Sequence, residues 1–520
     1  MPSLFKSTLS VGSMTMLSRV FGLGRDIIIA RYFEAGGATD AFFVAFKIPN
    51  FFRRLFAEGA FSLAFVPVLT EYRNRYSQVE TRELINRVAG TLGVILLALA
   101  VVGVLASPVL VHIFATGFLH DSEKFRLTSD MLRITFPYVV LISMTMMAAG
   151  ILNTWKNFWV PAFTPVILNL SVITCAIWLR PHVEVPVTAL AWGVLLAGVL
   201  QLLFQLPFLY RQGLLPKPVW GWQHSGVQKI IKLMMPAIFG SSVAQINMLF
   251  DTFIASFLMA GSVSWLYYSE RLLWLPVGVF GVALSTVVLP NLSESHYQKG
   301  ALHFSQILQW ALQLALLIAV PATIGLLLLA QPILSTLFQY GAFTRHDLQM
   351  VTYSLMAYCA GLPAFMLIKI LANGFYARQD TKTPVRIGIQ AMCLNMLLNV
   401  VLVLWMVKTN FVAPHVGLAL ATTGSAYFNA AMLAWTLHKD AILVGSAGLS
   451  QTLLKILLAC CVMSVTLKWL MPASHMWSDW LWFERLFELC RLILPAILCY
   501  GFVLWIMGIR QQQISPDFLR

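Results

Sequence analysis

Apolar runs long enough to cross a bilayer follow one another through almost the whole of this chain, parted by short polar breaks. About 20 apolar residues cover roughly 30 Å of hydrocarbon as a helix, and such windows recur along all 520 residues. Charged residues are 11% of the chain and apolar ones 59%, where a soluble domain carries about 25% and 45–50%. The mean hydropathy is +0.78. In lipid a backbone must satisfy its own hydrogen bonds, which a helix does within one segment. The chain therefore reads as an all-α polytopic membrane protein, and a soluble globular fold is excluded.

Fourteen transmembrane helices are expected, near 10–33, 38–72, 86–112, 130–155, 161–180, 187–210, 233–259, 263–294, 306–330, 349–376, 385–407, 415–436, 450–471 and 487–508. The second and eighth are too long for one straight crossing, and Pro49 and Pro276 offer places to kink. Seventeen Lys and Arg fall on the side shared by both termini, against six on the other: Lys124, Arg126, Arg180, Arg345, Lys408 and Arg485. Basic loops stay inside, so both termini are expected in the cytoplasm. The net charge of +14 has the same origin and does not indicate nucleic acid. Met1 to Ser10 lacks the apolar core and cleavage site of a removable signal peptide. Trp220 and Trp222, beside Lys217 and Lys229, suit a short helix lying at the inner interface.

The chain also repeats itself. Pro108, Phe114, Gly117 and Gly150 recur as Pro332, Phe338, Gly341 and Gly374, each 224 positions on. Asp26, Ile29 and Ala30 recur as Asp251, Ile254 and Ala255 at 225, and Pro67, Leu69 and Glu71 as Pro290, Leu292 and Glu294 at 223. Each unit holds six spans, an even number, so the two run parallel about an axis along the membrane normal. The expected organisation is a six-helix bundle over 1–210, a cytoplasmic interfacial connection over 211–232, a second bundle over 233–436 and two additional helices over 437–520. Two such bundles facing a central cleft is transporter architecture.

That cleft is where the charges belong. Ser18, Arg19, Arg25 and Asp26 lie within the first apolar stretch, and Asp40, Lys47, Arg53, Arg54 and Glu58 within the second. A charge at bilayer depth costs about 2.5–3.5 kcal/mol on the lenient scales, so these groups line a wet cavity or grip a charged ligand. Ser18, Gly22 and Arg25 share one helical stripe; Arg19, Gly22 and Asp26 share the next. Asp40 and Lys47 share a face, as do Arg54 and Glu58 at i, i+4. Internal ion pairs are the alternative, but Asp26 alone cannot satisfy both Arg19 and Arg25. A surplus of planar guanidinium forks suits phosphate oxygens. The second unit adds Ser264, Glu270 and Arg271, and neighbouring helix positions such as the last two point about 100° apart. Asn247 with Asp251, and Lys369 with Asn373, could hold Na⁺ or a proton, although plain inter-helix hydrogen bonds explain them as well.

Nothing points to chemistry within the chain. The seven cysteines lie in apolar segments and read as buried, inert thiols. The ten histidines are scattered. No H-E-x-x-H, P-loop or G-x-S-x-G motif occurs, so no cofactor is expected. Transport would draw on a Na⁺ or H⁺ gradient or on the membrane potential.

Several motifs are specific. They are the run Ser13 to Gly22 with Arg25-Asp26; Thr39 to Asn50 with Arg53-Arg54-Leu55-Phe56-Ala57-Glu58-Gly59-Ala60-Phe61; Ile151 to Thr154; Gly261-Ser262-Val263-Ser264-Trp265 with Tyr267-Tyr268; Phe338 to Gly341; and Phe375 to Asp380. Together they resemble the MurJ (MviN) family of bacterial lipid II flippases over about residues 10–436. That family belongs to the multidrug/oligosaccharidyl-lipid/polysaccharide exporter superfamily, with two six-span bundles, alternating inward and outward openings and, in MurJ-like members, two further spans. The resemblance implies that Arg19, Arg25 and Arg271 bind a diphosphate–sugar headgroup and that Asp40 is needed for transport. It also implies that Arg53, Arg54 and Glu58 line or gate the cavity, and that the last two spans help form a groove for the lipid tail. Glu270 stands where the family often has Asp, one methylene longer.

The expected function is a flippase carrying lipid II, an undecaprenyl-diphosphate-linked peptidoglycan precursor, from the inner to the outer leaflet. Membrane lipids and other cell-wall synthesis proteins would be its further partners. The alternatives are a drug or polysaccharide-unit exporter of the same superfamily, against which the cationic cleft argues, and a membrane glycosyltransferase. The latter needs carboxylates near the outer interface, where only Asp121, Glu123, Glu184, Asp347, Asp479 and Glu484 lie, without a D-x-D pair.

Overall fold

A computed structural model describes residues 2–55, 61–298, 300–443, 447–473 and 476–509. Among these residues every regular element is a helix. Two compact units divide the chain at Ser264 and Trp265. The first holds α1 (Pro2–Tyr32), α2 (Gly37–Phe52), α3 (Ser62–Arg75), α4 (Gln78–Leu105), α5 (Ser107–Phe114), α6 (Ser122–Thr135), α7 (Tyr138–Thr154), α8 (Trp159–Thr174), α9 (Thr188–Arg211) and α10 (Ser225–Ser256). From the first turn of α11 (Ser262–Pro276) the chain enters the second unit. This continues through α12 (Val282–Gln298), α13 (Ala301–Phe338), α14 (Arg345–Cys359), α15 (Leu362–Tyr376), α16 (Lys382–Lys408), α17 (Val416–Lys439), α18 (Ala447–Leu470), α19 (Met476–Asp479) and α20 (Trp482–Ile506).

Ten of the described segments are long and apolar enough to cross a membrane. The remaining expected spans coincide with α1, α2 with α3, α10 and α17, which are helical but lie outside that set. The first three of these carry Arg19, Arg25, Asp26, Asp40, Lys47 and Asp251.

Helix boundaries repeat at the offset seen in the sequence. The α6–α7 pair is interrupted at Phe136 and Pro137, and the α14–α15 pair at Ala360 and Gly361, 224 positions on. A π-helical turn follows α2 at residues 53–55, and another follows α11 at Val277–Gly281, directly after Pro276. In the turn beyond α7, Lys156 has φ of 63°, and in the turn beyond α15 its counterpart Gln379 has φ of 61°. The two main cores match as well: Leu84, Val88, Met147 and Ile151 are buried in one, and Leu308, Leu312, Leu371 and Phe375 in the other. Gly193 and Gly417, also 224 apart, let α9 and α17 approach their neighbours. A Cβ on Gly193 would stand 3.0 Å from Val172 Cα, and one on Gly417 3.1 Å from Val403 N. Without a hydrophobic force between helices in lipid, small residues at the contact allow the close packing that holds them together.

The copies differ in two places. The third span of the first repeat breaks at Ala106, ahead of Pro108, whereas α13 runs unbroken through Pro321 and Pro332. And α1 packs on α8, while its counterpart α10 packs on α2, α3 and α5 of the first unit.

Two expectations need correction. Residues 212–224 form no interfacial helix but an extended strap along α4. Pro216 and Pro218 lack backbone donors and disfavour a helical residue before them. Of the cysteines, Cys175, Cys359 and Cys460 are buried, but Cys393, Cys461 and Cys490 are exposed. The outward face of a lipid-facing helix is itself apolar, and a small apolar thiol is tolerated there.

Candidate functional site

Within the first unit the charged residues gather around α1 and α2. Helix α1 docks on α8, where Asn169 Nδ2 donates to the Ser18 carbonyl at 3.1 Å. Ser18 and Arg19 are half-buried, Arg25 is 7% exposed and Asp26 is fully buried. Arg25 donates from Nε and Nη2 to Asp26 Oδ1 at 3.0 and 2.7 Å. Adjacent helix positions diverge by about 100°, yet the long arginine stem folds back far enough to close the pair. In the sequence alone Arg25 counts as surplus charge; the structure commits two of its donors to a neighbouring carboxylate.

Asp40, on the first turn of α2, is 1% exposed. Its Oδ2 accepts from Lys124 Nζ at 3.0 Å and from Gly261 N at 2.7 Å. Its Oδ1 accepts from Ser264 N at 2.9 Å and Ser264 Oγ at 2.7 Å. Gly261 reaches this position with φ of +98°, a conformation that favours glycine. The Ser264 amide belongs to the first turn of α11, where N–H groups lack intrahelical partners and the helix end attracts negative charge. Lys124 Nζ also lies 4.0 Å from the centroid of the buried Phe118 ring. One carboxylate therefore ties α2, α6 and the start of α11 together.

Lys124 escaped the sequence reading, which paired Asp40 with Lys47 on a shared helical face. In the structure Lys47 Nζ donates instead to Thr252 Oγ1 of α10 at 3.2 Å. The available signal was charge bookkeeping. Lys124 and Arg485 are two of the six cations on the poorly basic side, and neither is a loop charge. Arg485, 4% exposed, donates to the carbonyls of Trp480, Ser335, Gln339 and Ser478.

Arg53 Nε donates to Asn50 Oδ1 at 2.9 Å, and Arg54 Nη1 lies 3.5 Å from Gln245 Oε1. Glu58 lies outside the described residues, so the expected Arg54–Glu58 pair does too. Asn247 and Asp251 belong to the first unit, and the Asn247 Oδ1 atom is buried without a hydrogen bond.

In the second unit Arg271 and Glu270 are half-buried on α11, and Glu270 Oε1 accepts from Trp274 Nε1 at 3.1 Å. Asn373 donates to the Ser285 carbonyl at 3.2 Å and to Ser285 Oγ at 2.9 Å, a helix-to-helix bond of the plain kind. Trp265 Nε1 donates to Asp347 Oδ1 at 2.8 Å. Asp347 is thereby spent on structure, as its capping box with Thr344 also shows. Among the described residues no group of three or more His, Cys, Asp or Glu gathers to hold a metal.

Comparison with known proteins gives this geometry a context. The family model described as lipid II flippase MurJ matches residues 29–502. A Vibrio cholerae protein named "Probable lipid II flippase MurJ" is 45% identical over 519 residues, covering 98% of both chains. The Burkholderia cenocepacia protein named "Lipid II flippase MurJ" is 41% identical over 519 residues, again covering 98% of both. Among solved structures, that of a lipid II flippase MurJ in an inward closed conformation superimposes with a TM-score of 0.79 at 28% identity, covering 96% of this chain and 98% of that one. An inward-facing multidrug transporter of the MATE family superimposes with a TM-score of 0.64 at 14% identity, covering 84% and 98%, a likeness of fold alone.

Proposed function

The chain belongs to the MurJ family of lipid II flippases, and we propose from that premise how its residues serve the transfer of lipid II from the inner to the outer leaflet. The protein is an integral membrane transporter, not an enzyme. The observation that carries the reading is the family match over 29–502 together with relatives at 41–45% identity along nearly the whole chain.

The finer assignments are ours. Fourteen spans cross the cytoplasmic membrane of a bacterium with both termini inside, two six-helix bundles alternate between openings, and α18 and α20 form part of a groove for the lipid tail. The burial of Lys124 and Arg485 supports the orientation, since it removes two cations from the poorly basic side. A diphosphate headgroup cannot cross hydrocarbon bare, because burying an uncompensated charge costs many kcal/mol. Arg19, Arg25 and Arg271 supply cationic donors for it, and Ser18, Arg53, Arg54, Glu58, Ser264 and Glu270 are the further residues assigned to headgroup binding. The Asp40 clasp is the part that opens and closes: a carboxylate holding a helix end can release it only by exchanging four donors, so its state separates two conformations. Alternating access requires the affinity for the headgroup to differ between the two. A Na⁺ or H⁺ gradient or the membrane potential supplies the energy, with Asp251 and Asn247 as the groups to test and Asn373 retained as a helix-to-helix bond.

Replacement in a strain depleted of its own flippase tests the reading. Arg19→Ala, Arg25→Ala and Arg271→Ala should each insert in the membrane yet leave lipid II in the inner leaflet, and lysine should rescue poorly because it lacks the planar fork. Full outer-leaflet exposure of lipid II with all three alanine variants would overturn it.

A further inference from the structure

The strap over residues 212–224 is a built feature rather than a slack connection. It runs along α4 from Gly213, whose added Cβ would stand 2.7 Å from Arg82 Nη2, to Gly221, whose N–H donates to Thr91 Oγ1 at 3.1 Å. Between them Lys217 N donates to Asn86 Oδ1 at 2.7 Å and Val219 N to the Asn86 carbonyl at 3.1 Å. Arg87 Nη1 donates to the Trp220 carbonyl at 2.8 Å. Gly90 admits the strap: a Cβ there would stand 2.2 Å from the Val219 carbonyl oxygen.

This fixed backbone holds two tryptophans outward. Trp220 and Trp222 are 52% and 45% exposed, with their rings stacked at 6.2 Å and 10°. Helix α4 sets their depth. Its exposed residues are polar at Arg82 and Glu83, with half-buried Arg87 a turn on, then apolar from Val94 through Leu105. Thr91, the anchor of Gly221, is one turn or about 5 Å short of Val94. The pair therefore sits where the surface of the protein changes from water-facing to lipid-facing, the level tryptophan rings prefer. The charge around it is one-sided: residues 211–224 contain Arg211 and Lys217 and no acid, Arg82 adds a third cation, and Glu83 is 3.4 Å from Arg87.

We propose that this strap is a binding surface for anionic phospholipid headgroups, with Trp220 and Trp222 seated in the headgroup layer and Arg82, Arg211 and Lys217 facing lipid phosphates. Aromatic anchoring fixes depth, and the cations make the surface selective for anionic over zwitterionic lipid. The proposal requires only that the chain spans a bilayer and is independent of the lipid it carries across.

The test uses the full chain in nanodiscs. Emission of the parent chain minus that of a Trp220→Phe/Trp222→Phe variant isolates the pair. Phosphatidylglycerol bearing a headgroup nitroxide should quench this difference at a lower mole fraction than phosphatidylcholine with the same label. Lys217→Gln should move the phosphatidylglycerol curve about fivefold toward that of phosphatidylcholine, the effect of one cation near an anionic surface. All three substituted positions are surface-exposed, so folding should survive. Equal quenching by the two lipids, or no quenching by either, would overturn the proposal. So would stronger quenching from bromines deep in the acyl chains.

Discussion

The same joint is built twice in this molecule, with opposite chemistry. In the first repeat the second span meets the fourth through Asp40 and Lys124, an ion pair at 3.0 Å. In the second repeat the positions 225 and 223 residues on are Trp265 and Asp347, joined by an indole-to-carboxylate bond at 2.8 Å. The carboxylate has changed sides and its partner has lost its charge. Asp347 is further fixed by Thr344 of its own helix start, through both the backbone N–H at 2.9 Å and the hydroxyl at 2.7 Å. Asp40 is held by donors from two other elements, the Lys124 ammonium and the Gly261 and Ser264 amides. Asp347 Oδ2 is closed within its own helix start and only Oδ1 reaches another helix, at Trp265, whereas every donor to Asp40 comes from another element. The duplicated position is thus partly fixed to its own helix in one copy and held wholly from outside in the copy proposed above as the releasable clasp.

The sharpest way to break this comparison is to remove the charge on each side. Asp40→Ala should abolish complementation and lower stability by about 3–5 kcal/mol, because it strands a buried ammonium. Asp347→Asn keeps an acceptor for Trp265 and should cost about 1 kcal/mol with transport intact. Complementation and thermal unfolding in detergent read both, and equal damage from the two would end the distinction. Next comes the cation: Lys124→Met should lose most lipid II exposure, while Lys124→Arg keeps the ion pair and the contact with the Phe118 ring and should retain a substantial part. A neutral side chain at 124 that transports normally would show the clasp to be ornamental. Trp265→Phe, the matching change in the second repeat, leaves Asp347 Oδ1 without its donor while Thr344 still serves Oδ2; it should lower the melting temperature by the equivalent of about 1–3 kcal/mol and leave transport intact.

The smallest effect lies in the turns after α7 and α15. Asn157 follows the left-handed Lys156, and Asp380 follows the left-handed Gln379. The Asp380 pKa is lowered chiefly by a side-chain hydrogen bond from Thr383, with backbone bonds from Thr383 and Lys382 adding to it. Its contribution is thus complete above the ordinary carboxylate value of 3.8 and is lost as pH falls below that, through the lowered folded-state value. Amide exchange at Lys382 and Thr383 should accelerate there, the turn at Asn157 should not respond, and Asp380→Asn should remove the dependence.

Much of the architecture could be read from residue order. Apolar windows located the helices, Pro276 the break after α11, and the recurrence of Pro108 as Pro332 the internal repeat. Its consequences could not be read. One of those prolines follows a break in the helix and the other sits inside an unbroken one, since a local signal does not say whether neighbours will re-satisfy the backbone. Within the site, Arg25, Asp26 and Asp40 stood out because charge in an apolar stretch is costly. The partner of Asp40 did not, because helical periodicity ranks only neighbours on one helix, and Lys124 is 84 positions away. The strap misled for a related reason: its tryptophans and lysines suit an interfacial helix, and only the gap over Gly90 shows that an extended segment fits there.

By itself the sequence determined that this chain must be helical, membrane-spanning, duplicated and charged at its first two spans. Those properties follow from transfer energies and spacings that act residue by residue. The tertiary structure alone decided that α10 packs with the first unit, that Arg25 turns onto Asp26, and that Asp40 captures Lys124 and the first turn of α11. Each of these depends on which groups meet across distant segments, and a buried charge takes whichever donors the packing brings within hydrogen-bond reach.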